Sequence, residues 1–422
     1  MIRALFRTLL LLFLSIPNVI ASQTLEAETT ALAYASPHLN NQLESRYHLY
    51  FSRRSDPLAD PLAQLQYGLS LDLWGLIPQD ISDWVDVREA FAGLNFKNLN
   101  LQIGRILPDW AKQDIDSPLQ KMFPKFTIDP LTHITDGIVG IYSHYQHSLL
   151  NIEFLYSPLF LPNRGGVRFE KGPDQRLGSI SRWLPPLFNE VKVGDGVIPL
   201  DYALHLPAVK DILLRESGFI RFSLQTKAIQ LTLVGADFFD PTPTLSYDAK
   251  LHIRDESLLQ AMVHLYPEFS REQMLGFQSK TIWKNIELFN DGAYFNRESI
   301  FKNRTGIRIR TDHRFLSEWV AAALFSKHLK DTTNAPSPIP DRPEETLFSK
   351  ISLNLWSASQ FSFSYETDFS MKQKILRGSL SLGPFAQMQF GIGFDILSGE
   401  DHTYWGLFRG NDRIWLKGSY VF

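Results

Sequence analysis

The stretch Asp412-Arg413-Ile414-Trp415-Leu416-Lys417-Gly418-Ser419-Tyr420-Val421-Phe422 decides how the rest of the chain is read. Side chains of an extended strand alternate between two faces. Ile414, Leu416, Gly418, Tyr420 and Phe422 therefore share one face, while Trp415, Lys417 and Ser419 share the other. No polar tail follows the final aromatic ring. Terminal residues usually fray unless something ties them down, so a last strand this apolar predicts a partner strand. A sheet closed on itself supplies one, because its last strand pairs with its first and leaves no edge.

The same alternation recurs upstream. Ala386, Met388, Phe390, Ile392, Phe394 and Ile396 oppose Gln387, Gln389, Gly391, Gly393 and Asp395. Leu376, Gly378, Leu380 and Leu382 oppose Arg377, Ser379 and Ser381, and Phe361, Phe363 and Tyr365 oppose Ser362, Ser364, Glu366 and Asp368. Ile351, Leu353 and Leu355 oppose Lys350, Ser352 and Asn354. Nearer the start, Leu65, Tyr67, Leu69, Leu71 and Leu73 repeat the pattern, as do Ala90, Ala92, Leu94 and Phe96. These are strands with one apolar and one wet face. The apolar face is nearly free of charge, and a charge on the lipid side of a barrel costs about 2–4 kcal/mol at the membrane midplane.

Connection lengths give an independent test. Counted back from Phe422, every second connection is short: near Gly383-Pro384, Ala358-Ser359, Lys284, Thr226-Lys227, Gln146-His147-Ser148 and Lys97. The long segments 107–134, 159–216, 331–345 and 398–411 fall on the other parity. Short periplasmic turns and long external loops characterise outer-membrane barrels. The segment 53–61 is the exception, too long for its side. The expected fold is all-β: a transmembrane antiparallel up-and-down barrel of 18 to 20 strands, depending on 24–35 and 246–265. An even count favours 18. Residues 22–45 read as either a first strand or a periplasmic plug, followed by a barrel over 46–422.

Composition agrees. The 422 residues hold 44% apolar and 21% charged side chains, and no run beyond the N-terminus approaches the ~18 apolar residues of a spanning helix. A net charge of −3 gives no reason to expect nucleic acid. Residues 1–21 read as a secretory signal, with Arg3 and Arg7 before an apolar run and Val19-Ile20-Ala21 as the cleavage site. Without a single Cys, an exported chain must be held by backbone pairing and packing rather than disulfides.

With its terminal Phe422 and apolar residues at alternate positions before it, the chain resembles Gram-negative outer-membrane β-barrel proteins. The segments Arg88-Glu89-Ala90-Phe91-Ala92-Gly93-Leu94 and Leu101-Gln102-Ile103-Gly104-Arg105 look like hairpins of porin-like substrate channels. The resemblance implies residence in the bacterial outer membrane, contact with its lipid, and a barrel-assembly machinery that reads Phe422 and Tyr420. It also implies a small-molecule solute and, as one assembly, a homo-trimer. No cofactor or metal is expected.

A wide barrel leaves a lumen, so charges on the wet faces matter. The basic candidates are Arg221, Lys250, His252, Arg308, Arg310, Arg377 and Lys417; the acidic ones are Asp72, Glu89, Glu153, Glu287, Glu366, Asp368 and Asp395. Arg308/Arg310 and Glu366/Asp368 are like charges two apart, which project together from one strand. For each, the plainer alternative is a solvated or paired charge inside a wet barrel. The expected function is a channel for small polar solutes, narrowed by an inward fold of 107–134 or 159–216. The rivals are a plugged transporter for hydrophobic compounds, a hydrolase, and an adhesive or structural barrel. No HExxH, GxSxG, P-loop or EF-hand spacing occurs, which disfavours the enzyme. If Phe422 is an assembly signal, deleting it will lower the amount of barrel inserted in the outer membrane, read by heat-modifiable gel migration, while single-channel conductance of the residual protein stays unchanged.

Overall fold

A computed structural model of the chain describes residues 21–38, 41–55, 65–77, 84–108, 110, 117–165, 169–171, 177–179, 183, 190–193, 196–255, 258–311, 316–329, 345–356, 359–385 and 387–421. Residues 1–20 of the expected signal sequence (1–21), most of the Pro-rich 331–345 segment and Phe422 lie outside them.

In chain order the first strands are β1 (Ala21–His38), β2 (Asn41–Ser55), β3 (Leu65–Ile77), β4 (Trp84–Phe96) and β5 (Leu99–Ile106). Then come β6 (Lys125–Asp129), β7 (Thr132–Thr135), β8 (Ile138–His147), β9 (Leu150–Ser157), β10 (Arg164–Gly165), β11 (Phe169–Lys171) and β12 (Leu177–Ser179). They are followed by β13 (Glu190–Val193), β14 (Gly196–Leu204), β15 (Ser217–Gln225), β16 (Ile229–Phe239), β17 (Thr244–Asp255) and β18 (Leu258–Glu268). Next are β19 (Arg271–Trp283), β20 (Ile286–Phe295), β21 (Ile300–Arg310), β22 (Leu316–His328) and β23 (Thr346–Trp356). The last are β24 (Ser359–Asp368), β25 (Gln373–Phe385), β26 (Met388–Gly399) and β27 (Arg413–Val421).

Eighteen of these form one sheet of antiparallel neighbours that closes on itself. The seam is the β1–β27 pair, in register from Glu26↔Val421 to Tyr34↔Arg413. Residues 24–35 are therefore barrel wall, not a plug. The other uncertain region falls the opposite way: β17 and β18 join β13 and β14 in a separate four-stranded sheet. Their alternation is that of a two-faced sheet separate from the barrel wall, which periodicity alone cannot tell from a wall strand.

Three short turns on one end reverse the chain with a left-handed residue each, Lys97 at φ 46, Ser148 at φ 53 and Lys284 at φ 55. The connections 107–137, 158–216, 240–270 and 400–412 gather at the other end. Burial separates the two faces of the wall. Leu233, Leu275 and Ile414 are 63%, 70% and 59% exposed on the outside of the barrel. Their neighbours Thr232, Met274 and Arg413 point inward and are buried. The outside is thus a belt of bare Leu, Ile and Phe, as the lipid-facing surface of a membrane barrel requires. On the inner face glycines receive large rings from the strand beside them: Gly306 lies opposite Phe289 and Gly393 opposite Trp415. A Cβ at either would strike the ring, so the pair fills one notch with one aromatic.

Candidate solute pathway

The connection 107–137 leaves β5, enters the barrel and returns at β8. Ser117 caps the 3-10 turn Pro118–Met122 by accepting from the Leu119 N–H, and Pro118 opens it, where a missing N–H costs nothing. Leu119, Met122 and Phe123 are buried against inward residues of the wall, among them Phe219 of β15, Phe238 of β16 and Met274 of β19. Phe123 stacks on Phe219 with ring centroids 6.3 Å apart and meets Trp110 edge-on at 5.0 Å. Gly276 of β19 has no side chain because Leu119 occupies that space. Lys121 reaches Glu298 at 2.7 Å and Asp240 at 3.1 Å. Each fully buried apolar side chain contributes about 1.5–3 kcal/mol, so this wall holds the loop firmly.

Beyond Pro124 the β6–β7 hairpin carries the loop to a different part of the wall. Asp129, fully buried, accepts from Arg46 Nη1 of β2 at 2.5 Å and from Arg413 Nη1 of β27 at 2.8 Å. Those two strands flank β1, so one carboxylate bridges across the barrel seam. Arg46 Nε also reaches Glu44 at 2.6 Å, and Arg413 Nε reaches Asp395 at 2.6 Å. The ring of Trp183, brought in by the 158–216 connection, lies 5.5 Å from the Arg413 guanidinium. Burial by itself would raise the Asp129 carboxyl, but Arg413 and then Arg46 outweigh it and hold it well below the usual carboxylate range.

A second charged cluster sits at the root of the loop. Arg164 Nη2 donates to Asp86 at 2.5 Å and to Asp136 at 2.8 Å, while Arg105 reaches the same two carboxylates at 3.2 and 3.4 Å. Arg164 belongs to β10, which pairs in parallel with β6, so this cluster ties the two long connections together. Burial first, and the neighbouring Asp86 charge second, push the Asp136 carboxyl up to about 6.

The lumen wall below is lined by cross-strand ion pairs. Arg221 pairs with Glu153 under the Trp110 ring. Arg304 pairs with Asp291, and Arg308 meets Glu287 at 3.2 Å and Glu318 at 3.4 Å. Arg310 shares Glu318 at 3.4 Å but is 58% exposed, and Arg377 stands 4.0 Å from Asp395. Lys350, on the inward alternate of β23 opposite Val320 and Ser364, pairs with no carboxylate among the described residues.

The sequence candidates thus divide. Arg221, Arg308, Arg310 and Arg377 lie on inward alternates of barrel strands and come together with acids. Glu366 lies on the inward alternate of β24, opposite Phe348. Asp368 ends that strand and instead accepts from the Ser370 hydroxyl at 2.5 Å and the Gln373 N–H at 3.2 Å, which shapes a turn. Lys250 and His252 are corrected: both belong to β17 in the separate sheet. Their strand alternates like the rest, but it is paired to β18 and no barrel strand. Tyr420 faces outward and donates to Gln387 across the β26–β27 pair. Asp129, Arg46, Arg413, Asp86, Asp136 and Arg164 were not singled out. Arg413 could have been, since it begins the wet face of the closing strand. Nothing local marks Asp129, whose partners lie 83 and 284 residues away.

No protein-family model matches the chain, and no curated protein matches it. Solved structures do match in fold. OccK2 (OpdF) of Pseudomonas aeruginosa, solved in complex with glucuronate, has a TM-score of 0.51 at 12% identity, covering 95% of this chain and 96% of that one. The chain has the fold of the porin-type outer-membrane barrels. OccAB3 of Acinetobacter baumannii matches at TM-score 0.49 and 10% identity, over 96% of this chain and 99% of that one. A mutant porin of Rh. blastica matches at TM-score 0.44 and 7% identity, over 96% and 100%. Among the described residues no group of three His, Cys, Asp or Glu could hold a metal ion.

Two outcomes follow from the clusters. Asp129→Ala leaves Arg46 and Arg413 buried without their shared carboxylate and will cost about 3–5 kcal/mol, read as a lower urea midpoint of the folded barrel. Asp136 has a folded value above its ordinary 3.8, so its stabilising contribution is complete below that value and is lost as pH rises through about 6. Asp136→Asn will flatten the stability–pH curve between pH 4 and 7, whereas an unchanged slope would remove Asp136 from that titration.

Proposed function

We propose that the chain is an outer-membrane channel that passes small polar solutes through a lumen narrowed by the inward 107–137 connection. One observation carries this reading. The connection is anchored on two separate regions of the wall, by apolar packing around Leu119 and Phe123 and by the Asp129 pair with Arg46 and Arg413. The passage beside it is lined by charge pairs and an accessible cation, Lys350, rather than by grease. Such a lining offers compensating charges to a hydrated solute and little to a hydrophobic one. The reading as a plugged carrier loses its N-terminal plug, because residues 21–38 are barrel wall. Membrane lipid, a barrel-assembly machinery and a homo-trimeric assembly accompany the proposal as expected partners.

Planar-bilayer recording tests it. The purified protein will give stepwise ohmic conductance, and replacing the inward connection by a short linker will raise the unitary step severalfold. Silence that persists after that replacement would sink the channel reading and favour an adhesive or structural barrel. Lys350→Glu will shift the reversal potential in a salt gradient toward cations. No shift would take Lys350 out of the conduction path.

A further inference from the structure

The outer surface carries a second apolar feature, above the lipid belt at the long-loop end. Residues 206–214, from the 158–216 connection, include the one-turn helix Val209–Leu213, which buries none of its side chains. Leu206, Val209 and Leu214 are 72%, 69% and 76% exposed. This segment is fastened to the outside of the wall. The Phe160 N–H donates to the Leu213 carbonyl at 2.9 Å, and Phe160 packs edge-on against Phe239 and Phe269 at 6.0 and 5.0 Å. Phe239 has the outward parity of Leu231 and Leu233 on β16, and Arg271 has that of Leu275 on β19. The apolar segment therefore continues the lipid-facing surface toward the membrane boundary.

Its polar groups suit that boundary. Arg215 lies 4.9 Å from the Phe239 ring and donates to the backbone carbonyls of Asp211 at 3.3 Å and Phe269 at 2.9 Å. Neither Arg215 nor Lys210 pairs with a carboxylate among the described residues. Arg271 forms a two-pronged pair with Asp237, at 2.7 and 2.9 Å, on the same rim. Asp211 and Glu216 are the other acids of the segment, so its net charge is small and apolar burial, not charge, is the driving term. Leu and Val over a ring of aromatics, with long basic side chains able to reach upward, match an interfacial anchor.

We infer that residues 206–214 lie in the outer-leaflet interface and bind a phosphate-bearing lipid, acyl chain against Leu206, Val209 and Leu214 and headgroup phosphate against Lys210 and Arg215. The inference rests on the barrel's own lipid setting, and the test separates the two. The chain has no Cys, so Val209→Cys, Leu275→Cys and Asp401→Cys each give one site for an environment-sensitive fluorophore. Each labelled barrel is reconstituted in phosphatidylethanolamine–phosphatidylglycerol vesicles and challenged with iodide or with lipid carrying a nitroxide near the glycerol backbone or near the chain end.

The label at 209 should be quenched by the shallow nitroxide at least about threefold more than by the deep one, and be protected from iodide relative to the label at 401. Replacing Leu206, Val209 and Leu214 together by Ser, with the label moved to 210, should abolish that quenching while the barrel still forms. If the 209 label is as open to iodide as the 401 label while 275 is quenched by lipid, the inference is wrong and the barrel reading stands. If 275 is also unquenched, both fall.

Discussion

A peptide group in hydrocarbon has no water to bond with, and each unsatisfied N–H or C=O costs several kcal/mol. Closure of the sheet through the β1–β27 pair is therefore the constraint on which the rest of this molecule depends. It demands that both ends of the barrel sequence be strands, in register from Glu26↔Val421 to Tyr34↔Arg413. Closure also fixes which side chains face lipid and which face the lumen, because alternation admits no third direction. Once Ile414 and Leu416 point outward, Arg413 and Lys417 must point in.

That inward set creates the second problem the fold solves. Arginines and carboxylates packed inside a narrow space are costly unless each finds a partner. Most do so across neighbouring strands, as with Arg308 and Glu287 or Arg413 and Asp395. The inward connection serves the same need near the seam, where Asp129 neutralises two guanidiniums from strands that do not touch each other. The inward loop is thus also part of what holds the seam's charges in place. Its opposite side is an ordinary apolar core, with Leu119 seated where Gly276 leaves room.

Much of the wall was legible as sequence. Period two is a local property, and the lipid face cannot hide a charge, so strands such as β24 to β27 announce both their existence and their inner side. Arg221, Arg308, Arg310 and Arg377 were placed on the inward face for that reason. The same rule misled at Lys250 and His252, since a free-standing two-faced sheet alternates as a barrel wall does. Asp368 illustrates a different limit: parity put it inward, but its position at a strand end gives it two nearer donors in a turn.

The sequence by itself determined the fold class and the alternation of short and long connections, because each follows from spacing along the chain; the count of 18 wall strands was settled only when 24–35 paired into the wall and 246–265 did not. Only the tertiary structure decided that β17 and β18 stand apart, that the 107–137 connection turns inward, and that Asp129 meets Arg46 and Arg413. The physical reason is range. Strand faces are written in neighbours one and two residues apart, whereas the buried pairs join residues 83 and 284 positions distant, and nothing local specifies which wall a folded-in loop will touch.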